Sequence, residues 1–233
     1  MSKVVFVLAV AASMALSSVA FAGKKARVKR TRPGPARVLQ VLEGIEDNLV
    51  ETKYQHVTRV RPKRGEYFFD CSGMTDWVLR RGAPAAARAV GRPEGRRPLA
   101  IHYYRRIAKI EPGERRGPWL RVDGPASAQP GDVIAWERPK WFKSKSTGHV
   151  GFIVSEPEPN HGPVPGWLVR FADASKFKHE DDTRDEDTTG YGTGVLLIPV
   201  DEHGRARGYG WIGSQTRPEW VIPCNIVIGR PLR

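Results

Sequence analysis

Apolar residues in the first half of the chain recur at helical spacing, whereas in the second half they gather in short runs bounded by turn residues. Val38, Leu39, Val41, Leu42, Ile45, Leu49 and Val50 form one stripe, which predicts an amphipathic helix over 35–51 with Pro35 suited to its first turn. Residues 54–66 are polar and basic and read as a loop. Cys71, Met74, Thr75, Val78 and Leu79 form a second stripe, with Asp70 as its N-cap and Gly82 as its stop. The Pro/Gly-rich stretch 83–98 predicts a connector with at most a short helix at 85–90. A helix follows over 99–110 and a further loop over 111–130. Beyond Gly131 the β-rich runs 132–136, 149–155, 167–175, 194–200, 208–212 and 224–228 predict short strands. Helices first and strands afterwards mean α+β: N-terminal helices packed on a C-terminal antiparallel sheet.

The N-terminus departs from this pattern. Lys3 precedes the apolar run Val4 to Leu16, and Ala20 and Ala22 fit an A-x-A cleavage site. The run is short for a membrane span, which needs about 20 apolar residues. The division is therefore a signal peptide at 1–22, a basic leader at 23–34 and one domain at 35–233. The protein is expected to be exported to a periplasmic or extracellular location, touching the membrane only transiently. The cluster Lys24, Lys25, Arg27, Lys29, Arg30 and Arg32 follows the cut directly, and early positive charge resists translocation. The whole chain carries 38 Lys+Arg against 25 Asp+Glu, a net +13, which implies an anionic neighbour. The basic residues are scattered and no nucleic-acid motif appears, so nucleic acid is not the expected partner.

Candidate chemistry begins at Cys71. It falls in the first turn of a helix, on the inward face, where the positive end of the helix favours thiolate over thiol. Gly73 keeps the backbone beside the sulfur bare. The alternative is a small buried cysteine in a core helix. Cys71 and Cys224 are the only cysteines, and a nucleophilic Cys71 requires them to be unpaired. A nucleophilic thiol needs a base and a group to orient it. Of the histidines at 56, 102, 149, 161, 179 and 203, His149 opens a strand beside Gly148, at a sheet end. The 149–155 and 167–175 strands read as a hairpin. If opposing residue numbers sum to 322, His149 faces Asp173 on the side covered by the Cys71 helix. Asp173 is then the third residue, ahead of His179 and Asp132. The acidic run 180–187 does not match an EF-hand and reads as a solvated loop. Cys71, His149 and Asp173 supply at most three metal ligands, and no metal or other cofactor is expected.

Asp70-Cys71-Ser72-Gly73, Pro130-Gly131-Asp132-Val133, Gly148-His149-Val150-Gly151 and Phe171-Ala172-Asp173-Ala174-Ser175 together resemble the NlpC-type cell-wall peptidases, which are papain-like cysteine hydrolases. The resemblance spans about residues 54–228. It implies a papain-like fold and hydrolysis of peptide bonds in peptidoglycan stems, often beside D-glutamate. It also implies Cys71 as nucleophile, His149 as base, and Asp70 and Ser72 as the pocket for the N-terminal part of the stem. A tyrosine upstream of the cysteine often assists, and Tyr54 fits better than Tyr67. The family usually has a histidine where Asp173 stands. Trp136, Lys140, Trp141, Phe142, Lys143 and Lys145 form an aromatic-basic loop that could hold sugars and acidic groups, or be a solvated hairpin tip with one packed tryptophan. A non-catalytic wall-binding module and a Cys–His acyl or amide transferase are the competing readings; the sequence sets no oligomeric state. Export with cleavage after Ala22 is checked by N-terminal sequencing: the mature chain is expected to start at Gly23, and a retained apolar run would mean a membrane anchor.

Overall fold

The computed structural model describes residues 33–232, so the expected signal peptide and all but the end of the expected basic leader lie outside the described residues. The chain opens with α1 (Gly34–Glu46), whose Val38, Leu42 and Ile45 are buried. Three short strands follow, β1 (Glu51–Tyr54), β2 (Arg59–Arg61) and β3 (Glu66–Phe69), then α2 (Cys71–Gly82), α3 (Pro84–Val90) and α4 (Ala100–Ala108). The strands β4 (Arg115–Arg116), β5 (Trp119–Val122), β6 (Val133–Glu137), β7 (Gly148–Ile153), β8 (Glu158–Asn160), β9 (Gly166–Ser175) and β10 (Gly190–Pro199) come next. The small strands β11 (Gly208–Tyr209) and β12 (Ile222–Pro223) pair with each other, and β13 (Ile226–Pro231) closes the chain.

The main sheet runs in the order β10-β9-β7-β6-β13-β5-β4, with β8 on β9, and all its pairings are antiparallel. This bears out the expected α+β arrangement. Two stretches expected as loops are structured. Residues 51–69 form a three-stranded sheet in the order β1-β3-β2, with β1 and β3 parallel, and β5 lies within the expected 111–130 loop. The first helix also stops at Glu46 instead of running to 51, because residues 51–54 pair with β3.

Side-chain alternation gives the sheet two apolar faces. Val133, Ala135, Val150, Phe152, Ala172, Ala174 and Val227 meet the helices, packing with Val38, Leu42, Met74, Val78 and Leu79. Met74, Val78 and Leu79 have no exposed surface, and each such burial contributes about 1.5–3 kcal/mol. Gly82 does more than end α2: a Cβ there would lie 2.8 Å from the Cα of Val38, so its bareness sets the contact between α1 and α2. The opposite face carries Ile134, Trp136, Ile153, Val169, Phe171, Leu196 and Ile228, covered by Tyr209 and Trp211.

Asp132, a candidate orienting residue from sequence, is structural. It has no exposed surface, and its two oxygens accept from Arg230 Nε and Nη2 at 2.9 Å each, tying the start of β6 to β13. Its Oδ2 also accepts from the Gln129 N–H. Removing one partner of a buried pair costs about 3–5 kcal/mol, since the other charge is left unmatched. Arg230→Met is therefore expected to lower unfolding stability by about 3 kcal/mol in urea titration, and the double variant Asp132→Asn/Arg230→Met by clearly less.

Candidate active site

The turn from β3 into α2 places Cys71. Asp70 is in extended conformation (φ −92°, ψ 178°) and its Oδ1 accepts from the Gly73 N–H at 2.8 Å, the N-cap geometry read from sequence. Cys71 is the first helical residue and is 6% exposed. Gly148 begins β7 at φ +139°, and a Cβ there would lie 2.0 Å from the Trp136 carbonyl oxygen. Only glycine fits directly before His149. His149 Nε2 lies 2.6 Å from Asp173 Oδ2, and the imidazole also hydrogen-bonds to Cys71, which falls to the remaining nitrogen, Nδ1. Cys71, His149 and Asp173 thus form one connected line.

The route to that line differs from the expected one. Phe152 pairs with Ala172 and Ile153 with Phe171, so opposing numbers sum to 324 rather than 322. A shift of two residues preserves side-chain faces, so His149 and Asp173 still share one side of the sheet, as diagonal rather than directly opposed neighbours. That side is also not the one α2 covers. The helix packs on the Val150, Phe152, Ala172 and Ala174 face, while His149 and Asp173 belong to the face of Trp136 and Phe171. Cys71 reaches His149 at the strand's start, where β7 no longer separates the two layers.

Asp173 has no exposed surface and is surrounded by basic groups. Its Oδ2 is 3.2 Å from His179 Nε2, and its Oδ1 is 3.6 Å from Arg184 Nη1. Arg184 is held in turn by Asp182, with Nε–Oδ1 at 2.8 Å and Nη2–Oδ2 at 2.5 Å, and donates to the Ser175 and Gly190 carbonyls. The acidic run 180–187 is therefore not simply a solvated loop: Asp182 and Arg184 are folded in behind the site. Gly192 and Gly194 make room, since Cβ atoms there would lie 2.6 Å from Arg184 Cγ and 2.5 Å from His179 Cβ. Burial works to raise the Asp173 pKa, but the charge of His179 3.2 Å away and the hydrogen bond from His149 hold it well below the ordinary 3.8. Burial likewise works to lower His149, but the neighbouring Cys71 and Asp173 carry it up to about 10.

The other expected site residues divide. Tyr54 lines the cleft around Cys71, its phenol pushed up by burial and by the charges of Cys71 and Asp70. Tyr67 is 1% exposed and donates to Asn48 Oδ1, away from the cleft. Trp136 lines the cleft, though at 2% exposed it does so as the floor under His149, with ring centroids 5.1 Å apart, and its ring lies 4.6 Å from that of Tyr209. Trp141, Phe142, Phe177 and Trp220 carry exposed aromatic surface. Asp70 and Ser72 are both engaged by Arg97, which sequence reading missed. Its Nη2 donates to Asp70 Oδ2 at 2.6 Å and its Nη1 to Ser72 Oγ at 2.6 Å. His179, weighed from sequence as an alternative to Asp173, lies against Asp173 instead of replacing it, and Arg184 was missed, since nothing in the local pattern shows that their loop folds back over β10. Cys71 and Cys224 are both free thiols, and burial pushes Cys224 up to about 12. Among the described residues no group of three or more His, Cys, Asp or Glu could hold a metal ion. The cleft encloses about 670 Å³. No protein-family model, curated protein or solved structure matches the chain.

A depressed carboxylate contributes its stabilisation above its ordinary pKa and loses it as pH falls through the folded value. Removing His179 weakens that depression, so Asp173 protonates at higher pH. In a Cys224→Ser background, His179→Ala is expected to slow Cys71 alkylation by iodoacetamide about tenfold at neutral pH and to move the acid limb of its pH profile upward. His179→Gln, which restores a donor to Asp173, is expected to recover most of both. An unmoved acid limb would leave His179 a packing residue.

Proposed function

We propose that this chain is an exported cysteine peptidase with a papain-like arrangement, hydrolysing peptide bonds in peptidoglycan stem peptides. The observation that carries the reading is the connected Cys71–His149–Asp173 line at a helix start, opening on a cleft. In the proposed reaction the Cys71 sulfur attacks the scissile carbonyl, aided by its imidazolium partner. The positive end of α2 faces the oxyanion that develops. His149 passes its proton to the leaving nitrogen, and the acyl-enzyme forms. A water molecule, deprotonated by His149, then attacks the thioester and restores the thiol. Asp173 holds the ring so that Nδ1 points at sulfur, and stabilises its charged form. Trp136 backs the ring from below. The resemblance of the four motifs to the NlpC-type peptidases supplies the substrate class, and the net +13 suits an acidic wall polymer.

The test is incubation with purified sacculi and mass analysis of what is released. The full-length or mature protein is expected to release stem fragments, and Cys71→Ala to lower the rate by at least about a thousandfold while leaving the fold intact. Release undiminished in Cys71→Ala would reject the mechanism. No release, with tight retention on sacculi, would favour a wall-binding module.

A further inference from the structure

The charged groups around Cys71 do not match a substrate with a free ammonium group. Among the described residues Asp70 is the only carboxylate lining the cleft. Its Oδ1 accepts from the Gly73 N–H at 2.8 Å and from Ser72 Oγ at 3.0 Å. Its Oδ2 meets Arg97 Nη2 at 2.6 Å and His56 Nδ1 at 3.1 Å. Four donors leave this carboxylate without an open lone pair for a ligand. Arg97 is equally committed, since it also holds Ser72 Oγ and the His56 carbonyl at 2.9 Å. The clamp is partly buried, with 6% of the Asp70 side chain and 21% of the Arg97 side chain exposed. Opening it would leave a carboxylate of depressed pKa, held there against burial by Arg97, Gly73 and His56, without its partners.

The remaining charges in the cleft have the opposite sign. Lys145 and Lys176 both line it, and among the described residues neither takes part in an ion pair. The Lys176 ammonium lies 5.5 Å from the ring centroid of Tyr54, beside the nucleophile. Arg138 also lines the cleft; its Nε and Nη1 donate to the Ser146, Pro139 and Phe142 carbonyls of its own loop, which orients the guanidinium without cancelling its charge. Among the described residues the cleft thus presents the cations Lys145, Lys176 and Arg138, none of them in an ion pair, and one saturated anion, Asp70.

We infer that Arg97 closes the Asp70–Ser72 pocket to ammonium groups, and that the cleft takes an anionic peptide whose amino end is acylated. The substrate class rests on the peptidase reading; the charge selectivity does not. Within that reading the substrate is a stem still joined through an amide at its amino end and bearing free carboxylates for Lys145 and Lys176. A released stem with a free amino terminus is a poor fit.

Two measurements separate the two layers. In a Cys224→Ser background, Cys71 is modified with an anionic (sulfonatoethyl) and a cationic (trimethylammonioethyl) methanethiosulfonate, each forming a disulfide on Cys71 and releasing methanesulfinate. With each rate divided by that of the same reagent on a small free thiol, the anionic reagent is expected to react about tenfold faster, since one unit charge about 6 Å away in water favours the anion and disfavours the cation about threefold each, and the preference to shrink with salt. Lys145→Gln/Lys176→Gln is expected to reduce it, and Arg97→Gln, which uncovers Asp70, to shift it toward the cation. Equal rates, or a faster cationic reagent, would overturn the inference. In parallel, one stem peptide is assayed with a free amino end, acetylated, and acetylated with its carboxylates amidated. The acetylated acid is expected to have the highest kcat/KM, about tenfold above the free amine. Cleavage of the free amine at the same rate or faster overturns the inference and leaves the peptidase reading standing. Anion preference at Cys71 with no peptide cut rejects the peptidase reading and upholds the charge selectivity.

Discussion

The site depends on keeping a carboxylate ionised where water does not reach it. Asp173 has no exposed surface, and an isolated buried carboxylate would take up a proton. Here the His149 and His179 imidazoles and the Arg184 guanidinium lie 2.6, 3.2 and 3.6 Å from it. Cys71 and Asp173 together then hold His149 as an imidazolium against the same burial. Each member is unfavourable alone and stable in company. This is why the 176–189 loop must fold over β10, and why β10 carries Gly192 and Gly194 where that loop crosses it.

The same logic separates two kinds of polar burial in the molecule. Asp132 and Arg230 form a closed bidentate pair whose donors and acceptors match, and it joins strands. Asp70, Arg97, Ser72 and His56 form a second closed network beside Cys71, which leaves the cleft's net charge to Lys145, Lys176 and Arg138. The Asp173 cluster, by contrast, is open toward Cys71. A proton can enter or leave it only through His149, the one member that is both at a strand start and slightly exposed, at 13% of its side chain.

Much of this was legible from residue order. The 3.6 period fixed α2 and its N-cap because the side chains that bury Met74, Val78 and Leu79 are local to one helix. The His149–Asp173 pairing was legible because alternation constrains faces, and it survived a two-residue error in register for the same reason. What alternation cannot supply is which face the helices cover. Both faces of β7 and β9 are apolar, so Val150 and Phe152 are as good a helix-facing set as Gly151 and Ile153. The strands β1 and β2 were hidden because they are short and polar, and β3 because its four residues run straight into the α2 N-cap; all three are held by pairing with one another and by contacts such as the Tyr191 N–H donating to Thr52 Oγ1. Arg97 and Arg184 were hidden because a cation in a Pro/Gly-rich or acidic loop looks solvated until tertiary contacts bring it to a carboxylate.

The central claim is that Asp173 and Cys71 keep His149 charged at neutral pH. Nitrogen NMR of the His149 ring in the intact protein, titrated with pH, reads this directly. The ring is expected to stay doubly protonated through neutrality and to lose its proton at about pH 10, in place of the ordinary 6.5. In Asp173→Asn that transition is expected to move down. A wild-type His149 that titrates near 6.5, unchanged by Asp173→Asn, would contradict the account.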